Sequence, residues 1–80
     1  MSDIDSSAHT WIVQFAELLG VQAPTDTEIE TLLSLAGVAA HSSHRQAAPV
    51  ACWLAATAGI SPLEALTLAR QAAQDGPPAT

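Results

Sequence analysis

Apolar residues recur along this chain every three or four positions, in four runs separated by polar or turn-forming stretches. In the first run Ala8, Trp11, Phe15 and Leu18 or Leu19 follow one another at the spacing of a helix face. A helix is predicted from about Ser7 to Leu19, with Asp5, Ser6 and Ser7 offering N-cap oxygens and Gly20 ending it. Val21 to Pro24 is a connector. Thr25 followed three residues later by Glu28 then spells a capping box, and Asp26, Glu28 and Glu30 put negative charge at the positive end of a second helix. Its apolar stripe is Ile29, Leu32, Leu33, Ala36 and Ala40, and it should end near His41. Gly37 interrupts that stripe at a cost of about 1 kcal/mol relative to alanine, which a closely approaching neighbour helix would explain.

The third run follows a polar link, His41-Ser42-Ser43-His44-Arg45-Gln46. A helix can start at Ala47 or Ala48, because Pro49 is tolerated in a first turn, and runs through Val50, Trp53, Leu54 and Thr57 to Gly59. It is apolar on all sides, so neighbours should cover it nearly all round and make it the hub of the fold. Ser61-Pro62-Leu63-Glu64 opens the fourth helix, with serine as cap, proline at the first helical position and glutamate three residues after the cap. Leu63, Leu66, Ala69 and Ala73 should face inward, Arg70 should meet the negative end of the dipole, and Gly76-Pro77-Pro78 should end the helix.

These runs predict an all-α fold: a compact bundle of about four short helices forming one domain over residues 7–75. A flexible N-terminus (1–6) and a disordered tail (76–80) flank it. The expected core is Trp11, Phe15, Leu18, Ile29, Leu32, Leu33, Val50, Trp53, Leu54, Leu63 and Leu66. Many of the remaining apolar residues are alanines, which bury little area. Stability should therefore lie near the low end of the usual range of about 5–15 kcal/mol, and a partner would add to it.

Charge narrows the functional classes. The 80 residues carry a formal charge of −6, with eight acidic side chains against Arg45 and Arg70 and no lysine. Nucleic acids and anionic membrane surfaces both demand clustered cations and are excluded on that ground. A basic partner surface is favoured instead. The uncharged stretch between Arg45 and Glu64 has an apolar portion of only about 14 residues, short of the roughly 20 that a membrane span requires. Cys52 is the single cysteine and lies among Val50, Ala51, Trp53 and Leu54, the setting of a small buried hydrophobe. With no basic, apolar leader at the start, a reduced, cytoplasmic protein is expected.

Candidate chemistry is sparse. His41, His44 and Arg45 form the one polar cluster. The histidines lack the i, i+4 spacing and the thiol or carboxylate companions of a metal site, so no metal and no cofactor is expected. The plainer reading is a helix end whose carbonyls and dipole attract these side chains. The sharper one is an anion or partner site beside the start of the third helix, although Pro49 withholds an amide there. No nucleophile–base–acid spacing or phosphate loop is present, and Glu28 with Glu30 read as a solvated face; no enzyme is expected.

Three stretches carry a family resemblance: Trp11 with Phe15-Ala16-Glu17-Leu18-Leu19-Gly20; Leu32-Leu33-Ser34-Leu35-Ala36 leading into Val38-Ala39-Ala40-His41; and Arg45-Gln46-Ala47-Ala48-Pro49 before Trp53-Leu54. Over roughly residues 8–72 the chain resembles a small helical domain of unknown function from high-GC bacteria. That domain is found alone or fused to molybdenum cofactor guanylyltransferase. The resemblance implies His41, Arg45 and Pro49 as positions of interest, and a protein partner in molybdenum cofactor assembly or insertion.

The leading expectation is accordingly a non-catalytic accessory or protein-interaction domain. The alternatives are a small anionic-ligand module (phosphate or nucleotide) using His41, His44 and Arg45, and a simple homodimerisation domain.

Overall fold

The computed structural model describes residues 6–75, which form four helices and, among those residues, no strand. They are α1 (Ser6–Leu19), α2 (Asp26–Ser42), α3 (Ala47–Ala58) and α4 (Pro62–Asp75). The fold is all-α. The chain divides after Glu30 into two compact units. The first holds α1 and the opening of α2; the second holds the rest of α2 with α3 and α4. Ser6, assigned above to a flexible terminus, begins α1. The other expected tail residues, 1–5 and 76–80, lie outside the described residues, as does the Asp5 cap.

Local chemistry sets the helix ends. In the first unit the backbone turns back at Gly20, whose φ of 75° is left-handed. Gly20 N–H donates to the Glu17 carbonyl at 3.1 Å and Val21 N–H to that of Ala16 at 3.0 Å, the paired bonds of a Schellman stop. The capping box then starts α2 in both directions: Thr25 N–H donates to Glu28 Oε1 at 2.8 Å, and Glu28 N–H to Thr25 Oγ1 at 3.1 Å. In the second unit Gly59 adopts φ 73° at the end of α3, and Glu64 N–H donates to Ser61 Oγ at 3.1 Å to start α4. Pro49 falls in the first turn of α3, where its missing N–H leaves no helical bond unmade.

Burial departs from the expected core. In α1 the buried side chain is Ala16, and His9, Ile12 and Val13 share its stripe at intermediate exposure. The expected stripe lies one helical step away and faces solvent: Trp11 is 60% exposed and Leu18 86%, with Phe15 and Leu19 also exposed. In the second unit Leu35, at 2% exposure, centres a cluster with Ala65 and Leu66. Leu32, Val38, Cys52, Ala55, Ile60 and Ala69 pack against it. Ile29 and Leu66 are buried and Leu32 partly so. Leu33, Val50, Trp53, Leu54 and Leu63 are exposed, correcting their assignment to the core.

One physical cause covers the corrections on α1 and α3. Each of these two helices carries two apolar stripes, a bulky one and one of smaller or β-branched residues. Small side chains allow helices to approach closely, and in α1 and α3 the smaller stripe faces inward. The hub expected at α3 is corrected by its exposure. Cys52 and Ala55 pack against the Leu35 cluster, but no residue of α3 is fully buried and Trp53 is 66% exposed. A helix apolar all round is covered only on the sides where neighbours exist. The close approach invoked for Gly37 is likewise not there, since a Cβ added at Gly37 would meet nothing within 4 Å.

Candidate functional site

The polar cluster of the sequence is divided by the fold. His41 sits in the last turn of α2 and lines an open groove of about 570 Å³ with Ser34, Gly37, Val38, Ser42, Arg70, Ala73 and Gln74. α2 and α4 thus bring a histidine and a guanidinium to one groove with two hydroxyls and an amide, over an apolar floor. Arg70 is a member that sequence reading missed. It lies more than a turn before the end of α4, so its expected role at the helix dipole is corrected. The signal available was its position as the only cation of the fourth helix.

His44 and Arg45 go elsewhere. They line a separate depression of about 580 Å³ with Gln46. The chain enters α3 through tight bonds, with Ala47 N–H donating to the His44 carbonyl at 2.8 Å and Ala48 N–H to that of Arg45 at 3.1 Å. Those amides are therefore engaged, Gln46 makes no side-chain cap bond, and Pro49 has no N–H to give. At the start of α3 the donors that remain for an anion are therefore chiefly the side chains of His44, Arg45 and Gln46. His41, His44, Arg45 and Pro49 are all exposed. Among the described residues no group of three or more His, Cys, Asp or Glu side chains is placed to hold a metal ion.

Cys52 is half-buried against the Leu35 cluster, and desolvation pushes its thiol above the ordinary value. It packs there as a small apolar side chain. In the first unit His9 Nδ1 lies 3.8 Å from Asp26 Oδ1, a solvent-exposed pair of small energetic consequence.

The exposed apolar faces are the larger feature. On α1 the Trp11 and Phe15 rings lie 5.0 Å apart, tilted by 32°, and Leu18 and Leu19 continue the ridge. On α3, Val50, Trp53 and Leu54 occupy neighbouring positions on one helix face. Charge is segregated as well. Asp3, Asp5, Glu17, Asp26, Glu28 and Glu30 all belong to the first unit, which contains no lysine or arginine. The second unit balances Glu64 and Asp75 with Arg45 and Arg70. The whole formal charge of −6 therefore resides in the first thirty residues. Among the described residues no helix is long and apolar enough to cross a membrane.

No curated protein and no solved structure matches this chain. A family model does, over residues 3–75, from ahead of α1 to the end of α4, and the chain belongs to the family it defines, a domain of unknown function (DUF6457).

Proposed function

We propose that this chain is a non-catalytic accessory domain that works by binding another protein. The carrying observation is the inversion of its helix faces: Trp11, Phe15 and Leu18 on α1, and Trp53 and Leu54 on α3, face solvent while alanines and a cysteine pack inside. Burying apolar area stabilises by about 25 cal/mol per Å², so a free chain that leaves its largest side chains wet gains most from a partner that covers them. Exposed aromatic side chains are also the usual anchors of interfaces. The resemblance in the segments around Trp11, Leu32–His41 and Arg45–Pro49 extends the reading to a partner in molybdenum cofactor assembly or insertion.

A photo-crosslinking residue placed at Trp53 in cells, with adducts identified by mass spectrometry, tests the interaction. A heterotypic adduct with one defined protein is expected; adducts with this chain alone would favour the homodimer, and none would overturn the reading. Molybdoenzyme activity in a deletion strain tests the pathway, and undiminished activity removes that extension.

A second reading has its own observation in the shared groove of His41 and Arg70. A guanidinium and an imidazole beside two serine hydroxyls suit a small organic anion such as a nucleotide phosphate. Titration of ¹⁵N-labelled protein with a guanine nucleotide should then move amides of residues 34–42 and 70–74. If they stay put, this reading is lost.

A further inference from the structure

We propose that the α1 ridge is the docking surface for a basic amphipathic helix of the protein partner, an inference that rests on the interaction reading above. The geometry comes first. Trp11, Phe15, Leu18 and Leu19 stand at i, i+4, i+7 and i+8, a straight stripe about 12 Å long at 1.5 Å per residue. The paired Trp11 and Phe15 rings form a broad slab at one end, and Leu18, at 86% exposure, is the most solvent-exposed large apolar side chain described. An elongated apolar stripe of this spacing complements another helix bearing apolar residues at i, i+3, i+4 and i+7.

Charge selects among occupants. The unit that carries the ridge holds six carboxylates and no lysine or arginine. Glu17 projects from the neighbouring face of α1, and Asp26, Glu28 and Glu30 stand exposed at the start of α2. A partner helix with lysines or arginines flanking its apolar stripe is drawn in by this field and neutralises it. A second copy of this chain brings the same carboxylates and no compensating cation from its own first unit, so like charges would face each other. An anionic bilayer is repelled for the same reason. The α3 face carries no comparable charge, so nothing there selects its occupant.

Two measurements on the full chain test this. The first is fluorescence anisotropy with a designed helical peptide that has leucines at i, i+3, i+4 and i+7 and flanking lysines, beside a twin with every lysine changed to glutamate. The lysine peptide should bind at least tenfold more tightly than its twin and weaken as salt rises. Leu18→Ser and Glu17→Lys should each weaken it several-fold, with helical circular dichroism unchanged. Equal binding of the two peptides, or a Leu18→Ser variant with unaltered affinity, would overturn the proposal.

The second is in-cell photo-crosslinking from Phe15, with the adduct mapped to its segment. A Lys/Arg-rich helical segment is expected. A segment of this same chain, an acidic segment or no adduct overturns the proposal. If Trp53 still captures a defined protein while Phe15 fails, the interaction reading stands and the α1 assignment falls.

Discussion

The two units both leave large apolar side chains exposed but differ in how far they close a core and in where the charge lies. The unit after Glu30 closes a small core, with Leu35, Ala65 and Leu66 buried and six neighbours packed on them, and its formal charges cancel. The unit before Thr31 buries, among its described residues, Ala16 and Ile29, exposes a ridge of two aromatic rings and two leucines, and carries the entire net charge. The closed core lies in one unit and the net charge in the other, while exposed apolar faces occur in both. A surface that is both apolar and strongly acidic resists self-association while remaining attractive to a basic partner.

The largest test of this contrast is Leu35→Ala. Removing the most buried side chain of the second unit should cost about 2–5 kcal/mol in urea denaturation. A loss under about 1 kcal/mol would mean that the cluster does not anchor the fold. Next come the caps. Thr25→Ala removes one of two reciprocal bonds in the first unit and Ser61→Ala the side-chain cap of the second. Each should destabilise by about 1 kcal/mol, since each loses one side-chain acceptor while Thr25→Ala keeps the backbone N–H that Glu28 Oε1 accepts from.

Gly37→Ala should move stability the other way, by about 1 kcal/mol, since the helix gains rigidity and the added methyl meets open space. A loss instead would reveal a neighbour at that position. Leu18→Ser, on the exposed ridge, should change stability by about 0.5 kcal/mol or less. Together with Leu35→Ala it would separate a surface leucine from a core one.

The smallest effect is a pH dependence. Burial raises the Cys52 thiol above its ordinary value, so the folded chain keeps that proton to higher pH than the unfolded chain does. Stability is then full below the ordinary thiol pKa and declines as pH rises toward the folded-state value. Melting temperatures compared between about pH 7 and about pH 10 should fall less for Cys52→Ala than for the natural chain. An equal fall in both would mean the thiol is not desolvated.

Helix boundaries were legible because their determinants are local. Thr25 with Glu28, Ser61 with Pro62, and the glycines at 20 and 59 each act within a few residues, and each does so in the folded chain. The candidate site was legible only in part. His41 was singled out, but its groove partner Arg70 lies 29 positions away on α4. His44 and Arg45, close in sequence, are turned aside by the tight bonds that lead into α3.

What the amino-acid sequence alone determined is therefore the all-α class, the helix limits and the acidity, since caps, periodicity and charge need no neighbour to be read. Which face of each helix goes inside was decided by the tertiary structure. α1 and α3 each present two apolar stripes of similar period, and hydrophobicity alone favours the bulkier one. In the folded chain the smaller side chains face inward, Ala16 on α1 and Cys52 and Ala55 on α3, and small side chains are the ones that let packed helices come near. The Trp11–Phe15 ridge was left outside, in the acidic unit.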